Sequence, residues 1–162
     1  CKHQSAWETL ALQVIFPQQV WVLKRELLWI PFFGWGLAAL NPIAIDRGAG
    51  RKALSQVVEQ GKDRLLAGSW IVIFPEGTRV PYGKKAKFNR GGAALAHHTN
   101  TPIIPIAHNA GLRWSSDKFI TPGTVTVQIG QPIYPCDMSK KELYEVSTYW
   151  IEQHLDDLMV AA

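Results

Sequence analysis

The chain has 162 residues, 47% hydrophobic and 19% charged, with a formal charge of +4. That is one domain in length, enough to bury a single core, and too apolar for a disordered or fibrous chain. Two cysteines at opposite ends, Cys1 and Cys136, exclude a disulfide framework and a cysteine zinc site and leave a reducing, cytoplasmic setting as the default.

In chain order, a helix begins near Ser5 and continues from Thr9 to Phe16, and Val20 to Leu23 reads as a strand. Glu26 to Leu40 is apolar and helical in part, broken by Pro31 and its glycines. Ile43 to Ile45 is a short strand that delivers Asp46 and Arg47 to its end. Arg51 to Leu66 is an amphipathic helix with Leu54, Val57, Val58, Leu65 and Leu66 inward, closed by Gly68. Trp70 to Phe74 is a strand, Gly92 to His98 a small-residue helix, and Ile103 to Ala107 and Val125 to Ile129 two further strands. Ser139 opens a last helix, with Glu142 completing a capping box and Leu143, Val146, Trp150, Leu155 and Leu158 inward. Strands alternating with helices predict an α/β fold: a single layered domain over residues 1–162, with a mixed sheet flanked by helices. The opening on Cys1 rather than Met, beside a candidate base, adds the expectation that the domain is N-terminally truncated.

Glu76-Gly77-Thr78-Arg79 follows the apolar run Ile71-Val72-Ile73-Phe74, which Pro75 ends abruptly. The loop offers a carboxylate, a hydroxyl and a guanidinium that can grip phosphate through two parallel charge-assisted bonds. At the start of the chain, His3 stands five residues before Glu8. A histidine oriented by a carboxylate is what a hydroxyl needs to become a nucleophile near neutral pH. Ser5-Ala6-Trp7-Glu8 is also a capping box, which by itself accounts for Glu8 and for Ser5. The two roles of Glu8 are compatible, because one carboxylate has several acceptor sites. Ser5 lacks a nucleophile elbow and is not taken as a nucleophile. His97 and His98 diverge on a helix, no metal site is expected, and His108 reads as structural. Arg47 and Arg79 each follow an apolar strand, the sheet end where α/β proteins place ligands.

His3-Gln4-Ser5-Ala6-Trp7-Glu8 and Phe74-Pro75-Glu76-Gly77-Thr78-Arg79 resemble two signatures of the glycerolipid acyltransferases. Ile45-Asp46-Arg47 is similar to the family's intermediate block, and Thr101-Pro102-Ile103-Ile104-Pro105-Ile106 to its late strand. Four blocks in order cover most of the chain. Two positions depart: Glu8 stands where the family has Asp, and Lys2 where Asn is common. The resemblance implies an O-acyltransferase of phospholipid biosynthesis. It would move an acyl chain from an acyl thioester to the free hydroxyl of 1-acyl-glycerol-3-phosphate, giving phosphatidic acid. No cofactor is implied; acyl-CoA or acyl carrier protein is the co-substrate. The implied catalytic pair is His3 and Glu8, and the implied substrate-binding residues are Arg47, Glu76, Gly77, Thr78 and Arg79. Two alternatives stand beside this one: an acyltransferase for another acceptor, such as a lyso-aminolipid, and a non-catalytic phospholipid-binding membrane module.

Between Glu76 and Asp117 there is no acidic residue, while Arg79, Lys84, Lys85, Lys87, Arg90 and Arg113 fall in that interval. Such a stretch suits phosphate, coenzyme A or anionic headgroups; nucleic acid is not expected as a partner, since no recognition fold accompanies the charge. Leu27 to Ile45 carries no charge over 19 residues, long enough for a membrane span, but Pro31, Gly34, Gly36, Asn41 and Pro42 interrupt it. A helix and a strand with Trp29, Phe32, Phe33 and Trp35 at headgroup level fit better, and a purely core role for these aromatics fits equally. The expected location is the membrane surface, with the catalytic domain on the cytoplasmic side.

Overall fold

The computed structural model describes residues 1–114 and 120–160, apart from the side chain of Val160. Asp117, which closes the basic interval, lies outside the described residues. The chain divides into two compact units, residues 16–73 and residues 1–15 with 74–162.

The first of these units holds a three-stranded parallel sheet. Its strands are β1 (Gln19–Lys24), β2 (Ile43–Ile45) and β3 (Trp70–Val72), in the order β2-β1-β3. Val22 pairs with Ile43 on one side of β1, and Val20 with Ile71 on the other. Parallel neighbours need long crossovers. A 3₁₀ turn (Arg25–Trp29) and α2 (Phe33–Ala39) supply one crossover, and α3 (Arg51–Leu66) the other. Val20, Ile43 and Val57 are buried at the centre of this unit.

On α3 the expected apolar face is only partly realised: Val57 is buried, whereas Leu54 and Leu66 are exposed. Two glutamines take the inner positions. Gln60 accepts from the Ala44 N–H and donates to the Ala44 carbonyl, and Gln56 accepts from the Asp46 N–H. As an edge strand, β2 leaves backbone groups unpaired, and these amides satisfy them. The uncharged stretch 27–45 is divided among the 3₁₀ turn, α2 and β2. Among the described residues no helix is long and apolar enough to cross a membrane.

The second unit contains α1 (Trp7–Ile15), α4 (Gly91–Thr99), β4 (Ile106–His108), the single turn α5 (Ala110–Arg113), β5 (Val127–Ile129) and α6 (Lys140–Val160). β4 and β5 pair antiparallel, with Ala107 opposite Gln128, and Ile103 and Ile133 form an isolated bridge beyond them. The chain thus carries both parallel and antiparallel pairing, as expected of a mixed α/β fold. α6 starts with the anticipated box: Ser139 N–H donates to Glu142, and Glu142 N–H to Ser139 Oγ. Leu143, Ile151 and Leu158 face the interior, with Ala93 and Ala96 of α4 against Leu143. Val146, expected inward, is exposed.

Candidate active site

The site is built from residues 2–8, which lead into α1 and form its first turn. Ser5 is the N-cap: its Oγ accepts from the Trp7 N–H at 2.9 Å, so one of the helix's orphan donors is satisfied. Glu8 reaches back, and its carboxylate accepts from the Gln4 N–H (2.7 Å), the Ser5 N–H (2.8 Å) and the Ser5 hydroxyl (3.0 Å). The same carboxylate bonds His3 Nδ1 at 2.7 Å. Cap and histidine partner are therefore one group, and the longer side chain of Glu8 spans both tasks.

Glu8 is fully buried. Burial by itself raises a carboxyl pKa, yet the His3 bond, the charge of His108 and the Ser5 amide together hold Glu8 down to about 2. His108 is itself pulled down, mainly by burial, so near neutral pH its pull lapses. The His3 bond and the cap amide then sustain the ionised form. The geometry fixes the His108 tautomer: Nε2–H donates to the Lys2 carbonyl at 2.9 Å, while Nδ1 accepts from the Ala110 N–H at 3.3 Å. His108 is structural, as expected.

With Glu8 ionised, the short contact assigns a proton to His3 Nδ1 and leaves the ring's lone pair on Nε2. Phe74 stacks on the imidazole, with ring centroids 4.0 Å apart and an interplanar angle of 11°. The His3 side chain is 15% exposed, so a carboxylate and an aromatic face hold a ring that still reaches solvent.

The loop of the second motif is tied to this segment directly. β3 ends at Val72, two residues earlier than the sequence predicts, and frees Phe74 for the stack. Gly77 N–H closes a turn on the Phe74 carbonyl, with Pro75 second in the turn. Gly77 sits at φ +71°, where a side chain would be strained and its Cβ would meet Asn89 Nδ2 at 3.3 Å. Asn89 pins the Pro75 carbonyl twice, through its backbone N–H (2.7 Å) and through Nδ2 (2.9 Å). His3 N–H donates to Glu76 Oε1 at 3.2 Å, and Val80 N–H donates to the His3 carbonyl at 2.9 Å. Both backbone polar groups of His3 thus belong to the loop, and Arg79 is the residue immediately before the second bond.

Glu76 is turned inward. Expected among the substrate contacts, it has a fully buried side chain whose Oε1 pairs with Lys2 Nζ at 2.9 Å. Thr78 and Arg79 are exposed. Arg47 belongs to the other unit, at the end of β2, and is exposed. The Gly48 N–H donates to Asp46 Oδ1 at 2.9 Å.

A family model described as Acyltransferase matches residues 1–109, which include both motifs. The chain belongs to the acyltransferase family. A 1-acyl-sn-glycerol-3-phosphate acyltransferase of Pseudomonas aeruginosa is 45% identical over 161 residues, covering 97% of this chain and 63% of that relative. The alpha form from Mus musculus is 33% identical, covering 81% and 47%. The crystal structure of the 1-acyl-sn-glycerophosphate (LPA) acyltransferase PlsC from Thermotoga maritima superposes with a TM-score of 0.77 at 26% identity, over 98% of this chain and 64% of that one. The chain therefore spans less than two thirds of the length of each of these relatives.

Within this acyltransferase chain, sequence reasoning missed three supports of the site. Lys2 is buried against Glu76, and Asn89 locks the Pro75 carbonyl. Gln4 Oε1 accepts from the Gly111 N–H at 3.1 Å, at a glycine whose added Cβ would lie 2.9 Å from Gln4 Cβ. A signal existed for Lys2 alone, as the one departure from the family pattern without an evident replacement.

Proposed function

We propose that the protein transfers an acyl chain from an acyl thioester to the free hydroxyl of 1-acyl-glycerol-3-phosphate, giving phosphatidic acid. The observation that carries this reading is the 2.7 Å bond between Glu8 and His3 Nδ1, which directs the ring's lone pair to Nε2. The names of the relatives supply the substrate class.

In this mechanism His3 Nε2 takes the hydroxyl proton as that oxygen attacks the thioester carbonyl. The tetrahedral intermediate collapses by breaking the C–S bond, and the His3 imidazolium returns the proton to the departing thiolate. Glu8 stays ionised throughout and stabilises the imidazolium. No acyl-enzyme is formed. Arg79 binds the acceptor's phosphate, with Thr78 and Gly77 at neighbouring polar atoms. Holding both substrates in line contributes several kcal/mol beyond the proton transfer. The donor is acyl-CoA or acyl carrier protein, and Lys84, Lys85 and Lys87, all exposed, suit its phosphates.

The reaction takes place at a membrane surface on the cytoplasmic side. Support comes from the exposed aromatics of the 3₁₀ turn and α2: Trp29, Phe32, Phe33 and Trp35 are 68, 79, 56 and 65% exposed. Such amphipathic and apolar rings favour the headgroup boundary.

The test is release of free thiol from acyl-CoA by the full-length protein, with and without lysophosphatidic acid. Thiol release that depends on this acceptor, with phosphatidic acid as product, is expected. Release only with a lyso-aminolipid moves the reaction to another acceptor, and no release with either acceptor leaves a lipid-binding module.

A further inference from the structure

The Lys2 ammonium is an anomaly. It is only 3% exposed and lies beside the candidate base, with a carboxylate of the motif loop as its ion-pair partner. Burying a charge is expensive unless it is paired well, so its surroundings should explain it. They do. Nζ meets Glu76 Oε1 at 2.9 Å and lies over the Phe88 ring, 5.7 Å from its centroid. The Lys2 main chain is equally fixed: its N–H donates to the Ile106 carbonyl at 3.1 Å, and its carbonyl accepts from His108. The side chain thus leaves a main chain that is hydrogen-bonded to β4 and ends on the carboxylate of the motif loop.

That carboxylate oxygen does a second thing. Glu76 Oε1 also accepts the backbone N–H of His3 at 3.2 Å. Lys2, Glu76 and His3 form a closed circuit, covalent from residue 2 to residue 3 and non-covalent through Glu76. On the far side of His3, Val80 N–H holds its carbonyl. Rotation or translation of the His3 backbone must break the Glu76 or the Val80 bond. Glu76 can hold its place only while its own charge is balanced. Its other oxygen, Oε2, is buried without a hydrogen-bond partner among the described residues, so the register of the carboxylate rests on Oε1.

We propose that Lys2 is a positioning residue for His3, acting through Glu76: the buried ion pair sets the His3 backbone against the Glu76–Val80 loop, and with it the direction of the imidazole. The inference rests on the reading of His3 as general base. It also explains why Glu76 is turned inward, although it lies in the motif that meets the ligand.

The proposal distinguishes charge from shape. Lys2→Met keeps the length of the stem but leaves Glu76 as an uncompensated buried carboxylate. Lys2→Met with Glu76→Gln removes both charges, while the amide oxygen introduced by the second substitution still accepts the His3 N–H. Removing one member of a buried pair is more disruptive than removing both. With the full-length protein below the melting temperature of every variant, kcat per folded molecule is expected to fall roughly 10- to 100-fold in Lys2→Met. The KM values for both substrates should change less than about threefold, and the double variant should recover most of the loss. The ring resonances of His3, assigned by comparison with His3→Ala in ¹⁵N-histidine-labelled protein, should shift in Lys2→Met and return in the double variant.

A folded Lys2→Met with wild-type kcat and unmoved His3 resonances overturns the proposal. So does a double variant no better than Lys2→Met, since that outcome requires the ammonium itself rather than balance of Glu76. The His3→Ala control separates the two readings: if it retains turnover, the base assignment falls, and the resonance shifts still decide whether Lys2 positions the ring.

Discussion

Residues 2–8 and residues 78–79 belong to one candidate site but are built in opposite ways. In the first region Lys2, Gln4, Ser5 and Glu8 are buried, and each bonds to another named group. In the second, Thr78 and Arg79 are exposed, although buried residues flank them at Glu76 and Val80. A group that moves a proton must be oriented before substrate arrives, because misalignment costs rate directly. A group that binds a charged headgroup must stay solvated until the ligand replaces water. The difference predicts that damage to the first region appears in kcat and stability, and damage to the second in the KM of one substrate.

The hardest test of that contrast is His3→Ala. Loss of a positioned base should lower kcat about 10²- to 10⁴-fold. The melting temperature should fall as well, because the buried Glu8 carboxylate loses its 2.7 Å partner, while the backbone bonds of residue 3 to Glu76 and Val80 keep the fold. Normal turnover in this variant would end the distinction at its root.

Glu8→Gln probes the same region through pH. The folded pKa of Glu8, about 2, lies below the ordinary value of 4.5. A depressed carboxyl contributes stability that is fully present above 4.5 and is lost as pH falls through that window toward 2. The shift corresponds to at most roughly 3 kcal/mol, and to less near neutral pH, where His108 no longer carries its charge. Denaturant melts of wild type and Glu8→Gln should therefore differ most above pH 4.5 and converge as pH falls toward the folded pKa. The amide also cannot stabilise the imidazolium, so kcat should fall roughly tenfold or more. A stability gap independent of pH would show that the cap, and not the charge, is what Glu8 supplies.

The smallest expected effect sharpens the other side. Arg79→Lys keeps the charge and removes the planar fork. The KM for lysophosphatidic acid should rise roughly tenfold, the KM for the thioester should stay within about twofold, and stability should stay within about 0.5 kcal/mol of wild type. Equal changes in both constants, measured at one salt concentration, would place Arg79 outside acceptor recognition.

Much of this arrangement is visible in the chain itself. The α3 boundaries, the Ser139–Glu142 box and the pairing of Glu8 with Ser5 follow from periodicity and cap chemistry, which act over a few residues. The inner face of α3 departs from its apolar periodicity because Gln56 and Gln60 serve backbone groups of an edge strand 10 and 16 residues earlier, beyond the reach of helix periodicity. β3 stops short of its apolar run: Ile73 and Phe74 carry strand propensity, but Phe74 instead stacks on His3, a partner that no local pattern reveals.

By itself the sequence determined the α/β character, the helix starts and the residue types able to share a proton or grip a phosphate, because each depends on neighbours within a turn or two. Only the tertiary structure decided which charges face a ligand and which face each other. Lys2 and Glu76 stand 74 residues apart, and nothing local marks either as buried. Their pairing follows from the rule that a charge removed from water must find its opposite, and the fold alone sets where that opposite lies.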